Sequence, residues 1–162
     1  MSGHETVTQG DAERVVRAMF ERDHASRALG MEVQSVAPGQ VRLKMVVRKD
    51  MLNGHQTCHG GFIFALADSA FAFACNSRNE ANVAAACQIE YLLPGYEADV
   101  LQAEAVERVL SGRSGIYDIA VSNQHGKLIA LFRGKSHRIR GTVIAVPEES
   151  VPDHTEQQGA CT

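Results

Sequence analysis

A chain of 162 residues lies within the usual size of one domain, about 100–200 residues, and at this length roughly 68–70% of the unfolded surface is buried on folding. With 44% hydrophobic and 22% charged residues, the composition is that of an ordinary globular protein and excludes wholesale disorder and fibrous repeats. A formal net charge of −3 offers no basic footprint for nucleic acid, so any partner has to be argued from local features.

The first residues hold no basic stretch followed by an apolar run, so no secretory signal is expected and the chain reads as cytoplasmic. Cys58, Cys75, Cys87 and Cys161 form no C-x-x-C pair, and neither a disulfide framework nor a zinc knuckle is expected. The longest apolar run, 61–75, is broken by Asp68 and Ser69. At about 1.5 Å per residue it is too short for a ~30 Å hydrocarbon slab, and it reads as a buried helix rather than a membrane span.

Residues 1–10 are polar and aperiodic, and 142–162 combine Pro147 and Pro152 with Glu, Gln, Gly and Thr, so both ends are expected to be flexible tails around a domain at 11–141. Over 11–29, Val15, Val16, Met19 and Phe20 recur at helical spacing, with Asp11 as the expected N-cap and Gly30 as the stop. Two runs, 31–37 and 40–48, flank Pro38-Gly39; the second alternates Val41, Leu43, Met45 and Val47 with polar residues, which predicts a half-buried hairpin. A loop over 53–60 leads into the apolar helix. Four extended segments follow at 83–93, 99–110, 114–122 and 127–140, and the short turns between the last strands require antiparallel pairing. A helix apolar nearly all round has no side to give to water. The order α-β-β-α-β-β-β-β therefore predicts an α+β hotdog-like fold, with an antiparallel sheet wrapped around a central apolar helix and an N-terminal helix beside it.

The chemistry concentrates between Met51 and Asn76. Gly60 and Gly61 precede the helix, where the first backbone N–H groups lack intrahelical partners and the macrodipole is positive. Such donors, unobstructed by a Cβ, suit an oxyanion hole; equally, two glycines provide a tight entry to a crowded helix. Asp68 sits in mid-helix among Phe64, Leu66, Phe71 and Phe73, where lost hydration raises a carboxylate pKa toward the range of a general base. The alternative for Asp68 is a structural hydrogen bond to a neighbouring strand. Asn53 lies in a loop returning to the helix start, where its amide could orient water or a carbonyl, although Asn-Gly is by itself a turn signal. Gly61 and Asp68 share a helix face but stand about 10 Å apart along the axis, so one carbonyl cannot reach both in the same chain. If both serve one site, the second comes from another subunit.

Other constellations carry less. His55, Cys58 and His59 have a metal-like spacing but sit in a loop without a clear third ligand, and a Cys58 nucleophile would need a base oriented by another group. His59 suits a capping role through its ring nitrogens. Arg133 and Lys135, beside Gly134 on the last strand, are either solvated surface or contacts for ligand phosphates. Tyr91 and Phe62 fit core packing or the wall of an acyl pocket.

The segments MLNGHQTCHGG, LADSAFAFACNS and LFRGKSHRI, in this order, resemble the hotdog-fold acyl-CoA thioesterases of phenylacetic acid degradation, and the resemblance covers about residues 11–141. It implies hydrolysis of phenylacetyl-CoA and ring-hydroxylated aryl-acyl-CoA thioesters to free acid and CoA. By motif, Asp68 would be general base or nucleophile, the Gly60 N–H would polarise the carbonyl, and Asn53 would position water or the carbonyl. His59, Gly61, Ser69, Arg133 and Lys135 would contact substrate. The resemblance also implies sites between subunits of a homodimer, assembly into a homotetramer, and no metal or other cofactor. In one respect the chain departs from the pattern: the strand after the helix reads Val83-Ala84-Ala85-Ala86-Cys87, without the Ser or Thr hydroxyl of related thioesterases, and Ser69 is the nearest substitute. A non-catalytic acyl-CoA-binding module and a dehydratase are the competing expectations.

Overall fold

The computed structural model describes residues 7–145; of the expected tails at 1–10 and 142–162, residues 1–6 and 146–162 lie outside the described residues. The N-terminal helical segment is two helices, α1 (Gln9–Arg22) and α2 (His24–Ala28), rather than one. Its cap is Thr8 and not Asp11. Thr8 Oγ1 accepts the Asp11 N–H at 3.2 Å while the Asp11 carboxylate accepts the Thr8 N–H at 3.2 Å, a reciprocal capping box that starts the helix inside the segment expected to be tail. The break falls at Asp23, whose Oδ1 accepts the Ser26 N–H at 3.0 Å and so caps the second helix. Gly30, at φ +70°, ends the pair as expected.

The hairpin forms between β1 (Glu32–Ala37) and β2 (Gln40–Val46), closed by Pro38 and by Gly39 at φ +74°. The central helix α3 runs Gly60–Asn76, followed by β3 (Asn82–Tyr91), β4 (Val100–Ser111), β5 (Ser114–Ser122) and β6 (Leu128–Arg138). All pairings are antiparallel, and the six strands make one sheet in the order β1-β2-β4-β5-β6-β3. The position of β3 corrects a simple reading of successive antiparallel neighbours. Both edges of β4 are occupied, by β2 and β5, so β3 crosses to the far side of β6 and becomes an edge strand. The connection over 92–99 crosses the start of α3, where the Cys58 N–H donates to the Gly95 carbonyl at 2.8 Å. This crossing sets Tyr91, the last residue of β3, beside the helix start.

The core lies between α3 and the concave face of the sheet. Ile63, Leu66, Ala67, Ala70, Phe71, Phe73 and Ala74 of α3 are buried against Leu43, Met45, Leu101, Ala103, Ile119 and Phe132 from the strands. Burial of each large side chain contributes about 1.5–3 kcal/mol, so the helix is held chiefly by its own apolar face. Phe71 packs at a tilt on Tyr117 and Phe132, with ring centroids 5.5 and 6.0 Å away, and over Gly134, where a Cβ would come within 2.7 Å of its ring. Tyr117 donates its hydroxyl to Glu107 at 2.8 Å, and Arg78 forks onto the same carboxylate, which satisfies the polar groups at this end of the core. Among the described residues no helix is long and apolar enough to cross a membrane.

Candidate active site

The entry to α3 is built by the loop before it. Asn53 Oδ1 accepts the N–H of His55 at 2.8 Å, the N–H of Thr57 at 3.3 Å and the Thr57 hydroxyl at 3.2 Å, while the Asn53 N–H donates to the Thr57 carbonyl at 2.8 Å. The Asn53 side chain therefore holds the 53–57 loop closed through its oxygen, in the manner of an Asx turn, and its amide NH2 makes no hydrogen bond among the described residues. His59 is the N-cap of the helix: its Nδ1 accepts the Gly61 N–H at 3.0 Å, as its ring nitrogens suggested. The His59 carbonyl accepts the Phe62 N–H at 2.9 Å. Gly60 is left as the first free donor, since its N–H has no partner among the described residues. A Cβ at Gly60 would meet Cζ and Oη of Tyr91 at 3.1 Å, so a side chain there would have to push the crossing tyrosine ring aside by a few tenths of an ångström.

Asp68 is half-buried in mid-helix, and among the described residues no cation pairs with it. Burial pushes its carboxyl above the ordinary carboxylate range, and the Cys87 thiol, donating to Oδ1 at 3.8 Å, offsets part of that rise. Cys87 is the group that sequence reasoning missed. It stands on β3 opposite Gly134 of β6, in the stretch that lacks a Ser or Thr hydroxyl, and its thiol lies against Asp68. Burial and the neighbouring carboxylate raise the Cys87 thiol to about 11, so it stays a neutral donor near neutral pH. Ser69 does not take that place: its hydroxyl lies 2.8 Å from Ser26 Oγ, which donates to Asp23 at 2.6 Å, and so it ties α3 to α2.

Gly61, Ala65, Asp68 and Ala72 follow one stripe of α3, and none of them is fully buried. On the β3 side of this stripe, Val83 is 46% exposed, and among the described residues the second edge of β3 carries no strand. Gly60 and Asp68 stand eight residues apart on α3, about 12 Å of rise, which keeps them from sharing one carbonyl within a single chain.

Arg133 and Lys135 are elsewhere. Phe132, Gly134 and Ser136 are buried toward α3, so by strand alternation Arg133 and Lys135 project from the opposite face of the sheet. Arg133 forks onto Asp118, Nε to Oδ1 at 2.7 Å and Nη2 to Oδ2 at 2.9 Å, and Arg108 binds the same carboxylate at 3.0 Å. Lys135 is exposed and has no carboxylate partner among the described residues. Cys58 is buried, with its thiol pushed up to about 11, which disfavours the thiolate a nucleophile would need.

Residues 55–130 match the thioesterase superfamily. Over 126 residues the chain is 52% identical to acyl-coenzyme A thioesterase PaaI of Escherichia coli K12, covering 78% of this chain and 90% of that protein. A solved structure of E. coli PaaI, from the phenylacetic acid degradation operon, superposes with a TM-score of 0.83 at 48% identity, covering 84% of this chain and 99% of that one. A mutant of the phenylacetic acid degradation protein PaaI from Thermus thermophilus superposes with a TM-score of 0.70 at 44% identity, over 72% of this chain and 100% of that one. The hotdog fold, the helix start at Gly60 and the carboxylate in mid-helix thus occur in a chain that belongs to the thioesterase superfamily, among its PaaI-type acyl-coenzyme A thioesterases.

Proposed function

We propose that the substrates are aryl-acyl-CoA thioesters of the phenylacetyl type, including ring-hydroxylated ones, and that each active site is shared by two copies of the chain. The observation that carries the shared site is the separation along α3: the free Gly60 N–H and the carboxylate of Asp68 are about 12 Å apart on one helix, too far to serve one carbonyl. Two α3 helices placed side by side and antiparallel bring Gly60 of one copy to Asp68 of the other. The partly open stripe of α3 and the unpaired edge of β3 lie next to each other, as such pairing requires, and exposed strand edges are usually covered in native proteins. The similarity to PaaI supports the acyl class, and the aromatic side chains of Phe62 and Phe64 beside the stripe suit an aryl group. A tetramer of paired dimers is the assembly proposed with it.

In this arrangement the thioester carbonyl accepts a hydrogen bond from the Gly60 N–H at the positive end of α3. A water molecule next to Asp68 of the facing copy loses its proton to the carboxylate as its oxygen attacks the carbonyl carbon. The tetrahedral oxyanion is held by Gly60, a kind of donor whose removal elsewhere costs about 2.7–4 kcal/mol. Collapse breaks the C–S bond, and the proton held by Asp68 passes to the departing CoA sulfur. The Cys87 thiol keeps the Asp68 carboxylate oriented, and the Asn53 amide NH2 positions water or the carbonyl. His59 and Gly61 shape the helix start. Lys135, without a carboxylate partner among the described residues, would meet CoA phosphates where the nucleotide runs over the outer face of the sheet, whereas Arg133 is engaged with Asp118.

Thiol release measured over phenylacetyl-CoA, hydroxyphenylacetyl-CoA and straight-chain acyl-CoAs tests this reading. Preference for the aryl esters is expected. Equal turnover of all chain types would overturn the acyl assignment, and tight CoA-ester binding without thiol release would favour a binding module instead.

A further inference from the structure

We propose that Tyr91 is a positioning residue for this reaction: its hydroxyl, donated to the Gly60 carbonyl, fixes the backbone that aims the Gly60 N–H. The inference rests on the reading of that N–H as the donor to the thioester carbonyl. Tyr91 ends β3 opposite Ala130 of β6, and its Oη lies 2.9 Å from the Gly60 oxygen. Its ring covers the glycine closely enough that a Cβ there would stand 3.1 Å from Cζ.

Two consecutive glycines at a helix start leave the backbone free to adopt many conformations, and a donor on such a backbone is poorly aimed. Here the peptide units around Gly60 are gripped from several sides. The unit between Gly60 and Gly61 is held at its carbonyl by Tyr91 and at its N–H by the His59 imidazole, at 2.9 and 3.0 Å. The unit between His59 and Gly60 is held at its carbonyl by the Phe62 N–H at 2.9 Å. The remaining polar group of the two units is the Gly60 N–H, which has no partner among the described residues and is therefore oriented without being occupied. Tyr91 is the only one of these grips that comes from outside the helix and its cap. It reaches the site because β3 crosses to the far edge of the sheet, so it couples the position of the donor to the strand that also carries Cys87, the partner of Asp68. Burial pushes the Tyr91 phenol upward, which keeps it a protonated donor through the neutral range.

Tyr91→Phe tests the assignment, because it keeps the ring over Gly60 and removes only the hydroxyl. With phenylacetyl-CoA, kcat is expected to fall roughly tenfold, less than the ~10²-fold that a 1 Å misplacement of a reacting group can cost. KM, and the dissociation constant of a non-hydrolysable thioether analogue, are expected to stay within about twofold, as for an interaction expressed in the transition state. Amide hydrogen exchange at Gly61, read by NMR, is expected to quicken. Wild-type kcat in Tyr91→Phe would overturn the proposal, as would a rise in KM with kcat unchanged, which would make Tyr91 a pocket wall. Unchanged exchange at Gly61 would overturn it whether or not the protein turns over acyl-CoA. Absence of thiol release by the wild-type protein would count against the thioesterase reading and leave the exchange result to judge Tyr91.

Discussion

Asp68→Asn replaces the carboxylate by an amide of nearly the same size, and the surroundings of Asp68 determine what this should do to both rate and stability. The side chain is half-buried among apolar residues, has no cation beside it among the described residues, and receives only the weak thiol donor of Cys87 at 3.8 Å. As general base it is expected to contribute about 10²–10⁴-fold. At about 1.4 kcal/mol per tenfold, its loss raises the barrier by roughly 3–5 kcal/mol. Binding of the CoA ester, which uses other groups, is expected to persist, so the loss should appear in kcat with KM little changed. Stability moves the other way. Burial raises the folded-state pKa of Asp68 above its unfolded value, so the stability linked to its protonated form is complete below the unfolded pKa and is lost as pH rises through the folded pKa. Near neutral pH the wild-type protein has lost it, whereas the uncharged Asn variant has nothing to lose. Asp68→Asn should therefore unfold in urea at a midpoint equal to or above that of wild type at neutral pH, with the advantage shrinking as pH falls. Thiol-release kinetics paired with urea titrations across pH measure both effects. A variant that turns over at the wild-type rate, or one that is markedly destabilised at neutral pH, would show Asp68 to be a structural carboxylate and refute the reasoning.

Cys87→Ala removes the donor that lowers the Asp68 pKa, so the acid limb of kcat/KM should move to higher pH, whereas Cys87→Ser supplies a stronger donor and should move it lower; pH-rate profiles of both variants check the sign. Gly134→Ala puts a Cβ within 2.7 Å of the Phe71 ring and should cost about 1–3 kcal/mol of stability in denaturant titrations, with catalysis retained in the folded fraction. Lys135→Ala should raise KM for CoA esters more than for short thioesters lacking the nucleotide, and to a greater extent than Arg133→Ala, whose guanidinium is already held by Asp118.

The sequence was most informative where structure is local. The central helix and the strand Ser114–Ser122 are readable because periodicity and turn residues bound them on both sides, and the His59 cap is readable from its place before the two glycines. Thr8 and Asp11 carry a capping-box spacing, and the helix start at Gln9 was legible in that pair although the polarity of the segment pointed to a tail. The sites that were not legible depend on contacts between distant segments. Turn lengths set which strands are antiparallel but not which edge β3 takes, and that edge decides that Cys87 meets Asp68 and Tyr91 meets Gly60. The bulge between Ala84 and Ala86 shifts the register of the alanine run, so no count along the strand alone would single out Cys87. Arg133 and Lys135 illustrate the reverse case: their outward direction follows from alternation once Phe132 and Gly134 are known to face the helix, but the pairing of Arg133 with Asp118 is set by the neighbouring strand.

The central claim, an active site assembled from Gly60 of one copy and Asp68 of another, is tested most directly by mixing defects. Asp68→Asn and Gly60→Pro chains, the second lacking the N–H assigned to the carbonyl and each expected to be inactive alone, are co-expressed with different tags and the heterodimer is purified. Because a two-fold dimer places both defects in one of its sites and none in the other, the heterodimer is expected to regain about half the activity of a wild-type dimer. A heterodimer as inactive as its parents would contradict the shared site and return both residues to a single chain.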